Sequence, residues 1–93
     1  MNIYEQLAAK IIKEQELLMG PMAWYEAGKV QGLSVLNSKE GSLTIEGDGN
    51  TVINALVDQF GTLFGRAGRE VCRDAVGAMV ANLKPTEVPA NLR

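Results

Sequence analysis

GDGNTVINALVDQFGTLFGRAGREVCRDAVGAMVANL, residues Gly47 to Leu83, is the stretch whose reading decides the fold. Val52, Ile53, Leu56, Val57, Phe60, Leu63 and Phe64 fall on one helical face. Val71, Cys72, Ala75, Val76, Met79, Val80 and Leu83 form a second stripe. At about 100° per residue, the second stripe is rotated by roughly 120° from the first. The drift of an ideal helix, about 20° per heptad, explains less than half of that rotation. Gly61, Gly65 and Gly68 sit where the phase changes, and glycine inside a helix costs about 1 kcal/mol relative to alanine. The pattern predicts two helices, about 50–64 and 67–83, meeting at a bend near Gly65. One long kinked helix is the alternative.

Working outward, Gly47-Asp48-Gly49-Asn50 closes a preceding strand and opens this helical region. Asp48 or Asn50 is placed to accept from exposed backbone N–H groups as a cap. Before it, Leu33 to Glu46 reads as a β-hairpin. Leu33 and Val35 alternate with Ser34, Leu43 and Ile45 alternate with Thr44 and Glu46, and residues 37–42 supply turn formers. Leu36 is the one apolar residue on the polar face. A two-stranded ribbon is marginal in water, so helices or another chain must cover it.

Further back, Ile3, Tyr4, Leu7, Ala8, Ile11, Ile12, Leu18 and Met19 mark an amphipathic helix from about Asn2 to Met19. Gln15 projects into its apolar stripe, where a buried amide needs a partner; it reads as an edge residue or as a contact across an interface. Gly20-Pro21 breaks the helix, and Pro21 suits the first turn of a second, short one running to about Val30. At the other end Lys84-Pro85 stops the last helix, and PTEVPANLR reads as an extended, mobile tail over 84–93. The expected architecture is α+β: two N-terminal helices, a β-hairpin, then two C-terminal helices within a single domain over 1–83.

Composition narrows function by exclusion. The chain has 93 residues, a formal charge of −2 and no histidine. The charge gives no reason to seek nucleic acid or anionic lipid, and the missing imidazole removes the commonest general base and zinc ligand. Cys72 is the only cysteine, so no disulfide can form within the chain. The opening residues lack a signal-peptide pattern and no apolar run reaches membrane-spanning length. A reducing cytoplasm is the expected compartment.

The glycine-rich turns do not amount to cofactor motifs. GDGN places Val52 where a dinucleotide fingerprint needs its third glycine, and Gln59 where a calcium loop needs its terminal glutamate. Residues 61–69 lack the Lys-Ser/Thr pair of a phosphate loop. Arg66, Arg69 and Arg73 align on one helical side, but Glu70 and Asp74 are interleaved with them, as on a solvated face. Arg69 and Arg73 would lower the pKa of Cys72 if the thiol were exposed, yet no histidine can serve as its base. No metal, cofactor or catalytic residue is expected.

Trp24 and Tyr25, with Arg66 and Arg69, are the candidate interface or ligand contacts, because aromatic and arginine side chains dominate binding hot spots. The function expected is that of a non-enzymatic interaction or regulatory module working as a homodimer. A chain this small has too little mass to cover several apolar helix faces and both hairpin edges. The alternative is a small-molecule sensor with a pocket lined by Trp24, Tyr25, Phe60, Phe64 and Met79.

Overall fold

A computed structural model describes residues 1–93. Helix α1 (Ile3–Met19) starts on a reciprocal cap: the Asn2 side chain accepts from the Glu5 backbone N–H, and the Glu5 carboxylate accepts from the Asn2 backbone N–H. Gly20 ends it, its backbone N–H donating to the Glu16 carbonyl. Helix α2 (Met22–Ala27) is shorter than expected. Gly28 closes it, and the turns that follow lead to the hairpin through Gly32.

Strands β1 (Leu33–Asn37) and β2 (Ser42–Ile45) pair antiparallel, with Leu33 opposite Ile45 and Val35 opposite Leu43. The register slips between Val35 and Asn37, and Leu36, at this irregularity, turns its side chain to solvent. Asn37 holds the turn by accepting from the N–H groups of Lys39 and Glu40.

The hairpin is covered by α1, and the lengths match. Ile45 donates its backbone N–H to the Glu5 carboxylate at 3.0 Å, while Gly41 lies against the Lys13 side chain. Four strand steps of about 3.3 Å span the same distance as eight helical steps of about 1.5 Å. β2 therefore lies along α1, antiparallel to it. Trp24 packs beneath the same turn, with Leu33, Leu43 and Val35 completing that side of the core.

Helix α3 is a continuous helical run, Gly49–Val80, broken at one residue. Asp48 caps it by accepting from the backbone N–H and hydroxyl of Thr51. Gly65 has φ 61° and ψ −141°, a backbone conformation open to glycine and to almost no other residue. A straight run of this length would measure about 48 Å, yet the longest dimension of the molecule is 32 Å. The chain reverses at Gly65, and the arms 49–64 and 66–80 lie side by side. Asp58 and Arg69 form an ion pair at 2.9 Å across the reversal. At Gly68 a Cβ would stand 2.5 Å from the Phe60 carbonyl oxygen, so only glycine allows the arms this close. The phase change in the sequence is thus a corner between two antiparallel helices.

α1 fills the groove between the arms. Its start meets the first arm, where Asn50 reaches the Tyr4 hydroxyl, and its Gln15 amide donates to the Gly68 carbonyl of the second arm. Leu7, Ile11, Ile12, Ile53, Leu56, Val57, Phe60, Cys72 and Val76 are fully buried at this three-helix junction.

The expectation of an extended tail does not hold. Residues Pro85–Glu87 and Ala90–Leu92 form 3-10 turns packed back on the helices. Leu92 and Pro89 are buried. Asn91 donates three hydrogen bonds, from its backbone N–H and side-chain amide to Asn54 and Asp58 on the first arm. Tyr4 donates its hydroxyl to the Glu87 carbonyl. The helix ends at Val80, short of the stop expected at Lys84-Pro85, and Pro85 and Pro89 instead pre-set turns that return Val88 and Leu92 to the apolar surface.

Two outcomes test this arrangement. Leu92→Ala will lower unfolding free energy by about 2–3 kcal/mol in urea denaturation; a loose tail would leave it unchanged. The Glu5 carboxyl is held below its ordinary value of 4.5 by the hydrogen bond from Asn2 and then by that from Ile45. A lowered folded pKa stabilises the native state above the ordinary value, and that contribution is lost as pH falls through the folded one. Denaturation of Glu5→Gln across acid pH will therefore show a shallower loss of stability than the parent chain.

Candidate functional site

The one thiol of the chain lies inside the fold. Cys72 is fully buried, and burial raises its thiol pKa; the Gln15 amide and the charges of Arg69 and Arg73 offset this only in part. The arginines that would activate an exposed thiol therefore leave this one protonated. No group of three or more Cys, Asp and Glu side chains is arranged to hold a metal. No helix is long and apolar enough to cross a membrane.

Gln15 is neither at the edge of the stripe nor at a surface. Its side chain is fully buried between α1 and the second arm, donating to the Gly68 carbonyl at 3.0 Å and to Cys72 Sγ at 3.5 Å. Its Oε1 has no partner. A buried acceptor left bare costs about 1–3 kcal/mol, which opposes what the two donated bonds contribute, and the amide fixes the level of α1 against the corner.

The four residues singled out from sequence do not converge. Trp24 is core, and its indole N–H donates to the Glu16 carboxylate at 3.0 Å. Tyr25 points to solvent, with the Lys29 ammonium 4.8 Å from its ring centroid. Lys29 in turn pairs at 3.0 Å with Glu26, which is buried and also receives the Gln59 amide. Arg69 is engaged with Asp58, and Arg66 stands exposed at the corner. Of the five residues expected to line a pocket, Trp24 and Tyr25 border a shallow depression between α2 and β1. Phe60 is sealed in the core, and neither Phe64 nor Met79 lines any depression. The largest depression, about 630 Å³, is an open one at the start of α3 between Gln31, Glu46 and Thr51.

Of eight large apolar side chains left exposed, four lie toward the end of the bundle that carries the corner. Two registrations place them. The Gln15–Gly68 hydrogen bond sets α1 against the corner, and Leu18 lies three residues beyond Gln15 on the same face. Phe64 is at that level too, since its Cβ lies 3.1 Å from where a Gly68 Cβ would be. The Glu26–Gln59 hydrogen bond sets α2 against the first arm. One turn from it, on each helix, are Met22 and Leu63. Leu18, Met22, Leu63 and Phe64 are 66%, 53%, 41% and 43% exposed.

Sequence reasoning put Leu18, Leu63 and Phe64 on buried stripes and gave Met22 no part. Apolar period gives no signal for their exposure, since Met19, one residue past Leu18, packs against the core.

Comparison with protein-family models, with curated proteins and with solved structures finds no significant match to this chain.

Gln15→Met removes the bare acceptor while Gly68 keeps its place in the helical ladder. Thermal and urea unfolding will show the variant about 1 kcal/mol more stable than the parent; a loss of stability would show that the amide contributes more than it costs.

Proposed function

We propose that this chain is a non-enzymatic interaction or regulatory module that works as a homodimer, with the corner end of the bundle as its contact surface. The observation that supports this most is the apolar cluster of Leu18, Met22, Leu63 and Phe64. Side chains of this size carry roughly 150–250 Å² each, so their exposed fractions amount to on the order of 400 Å². That is within the range of about 300–600 Å² for the largest patch on a monomer, and patches of that size are often functional. Homodimer interfaces are about two-thirds apolar, so such a patch corresponds to roughly 600 Å² per subunit. That is the lower end of the range in which specific complexes are stable.

A second copy fits this end better than an unrelated partner because the charges around it are complementary to themselves. Arg66 has no carboxylate within ion-pair distance, and Glu16, at the end of α1, has no cation. A two-fold axis through the apolar end brings the arginine of one copy toward the glutamate of the other, each pair occurring twice. The buried thiol suits a reducing compartment such as the cytoplasm.

Sedimentation velocity at tens of micromolar will give the mass of a dimer. The double variant Leu18→Glu and Phe64→Glu will sediment as a folded monomer, with an unchanged circular dichroism spectrum. A parent chain that stays monomeric over that range overturns the reading.

A further inference from the structure

We infer that the Gly65 corner is an exchange hinge. In the homodimer, α3 straightens at Gly65 and each copy donates its second arm and C-terminal segment, residues 66–93, to the other. This rests on the homodimer reading and specifies how the second copy is engaged.

Four observations carry it. The corner is one residue long, whereas helix–helix connections ordinarily take two to five or more. All residues on either side of Gly65 within 49–80 are already helical. Rotating about a single glycine therefore yields one unbroken helix, which also joins the backbone groups that two helix ends leave without helical partners.

The arms are held by contacts on either side of the corner, the Asp58–Arg69 ion pair and the Gly68–Phe60 approach, while the turn itself is unpacked. Residues 62–67 are all exposed, and no atom lies within 4 Å of a Cβ built at Gly65. Straightening there breaks no packing of the corner itself.

Every contact of residues 66–93 with the rest of the chain can be remade between copies. The Arg69–Asp58 ion pair, the Gln15–Gly68 and Asn91–Asn54 hydrogen bonds and the burial of Cys72, Val76 and Leu92 are the same whether the arm is the chain's own or its partner's. Only the corner and the surface around it change.

The change at that surface is favourable. An arm that enters from a second copy arrives through the corner end, so the two bodies meet where Leu18, Met22, Leu63 and Phe64 are exposed. In a straight helix Gly61, Gly65 and Gly68 also share one face. Two such helices crossing at the two-fold axis can approach backbone to backbone along it, as the arms already do at Gly68.

The test measures one distance inside one chain. Nitroxide labels at Thr51→Cys and Ala78→Cys, in a Cys72→Ala background, occupy two exposed positions. Labelled protein is unfolded and refolded with a large excess of unlabelled parent, so that dipolar spectroscopy reads only labels on the same chain. In a straight α3 the backbones at these positions are about 40 Å apart; in the folded-back arms the labels are under about 20 Å apart.

A dimer with the long distance is the expected result. A dimer with the short distance overturns the exchange and leaves the homodimer reading standing; a monomer overturns both. Gly65→Ala supplies a second measure. Alanine favours the straight helix by about fivefold per chain from propensity alone and is disfavoured in the corner conformation. Its dimer dissociation constant will fall by about a hundredfold, and an unchanged or weaker dimer counts against the hinge. A short Gly/Ser loop inserted after Gly65 will release the closed monomer.

Discussion

The reversal at Gly65 is the constraint on which the remaining structure depends. Without it, the second half of the helical run would project into solvent and α1 would have a partner on one side only. With it, two arms and α1 enclose a core in which Phe60, Cys72 and Val76 lose all contact with water. The backbone approach at Gly68 sets how near the arms can come, and the Gln15 amide then fixes where α1 sits along them. The hairpin follows from α1 rather than from the arms, because β2 is laid along that helix and tied to it through Glu5. One flexible residue thus determines a hierarchy of positions, each tied to the next by a named contact.

Much of this was legible in the residues. The α+β order, the hairpin and its turn, the break after Met19 and the discontinuity near Gly65 all follow from apolar period and turn chemistry. The rotated stripe was the informative signal at Gly65, since a straight helix could not bury both halves against one neighbour. Its sharpness was not legible. Periodicity reports a change of phase, and only the φ of 61° and the fit of 32 residues into a 32 Å body give a full reversal.

The misreadings share a cause. Residues 84–93 contain two prolines and little apolar periodicity, and local rules make such a segment a loose end. What binds it is distant: Asn54, Asp58 and Tyr4 offer partners that no window of neighbouring residues contains. Gln15 was ambiguous for the same reason, because its partners lie more than fifty positions away. Trp24 and Tyr25 divided as adjacent helical positions must, one inward and one outward. Arg66 and Arg69 divided according to which found Asp58. Residue type singled out all four, and the structure separates them, while Leu18, Met22, Leu63 and Phe64 are left exposed toward the bundle end.

Trp24 has a further use. It is the sole indole in the chain, buried beside the hairpin turn at Gly41 and bonded to Glu16 near the end of α1. Its emission is therefore an intrinsic optical reporter of how firmly the ribbon is seated on α1, readable without any added dye.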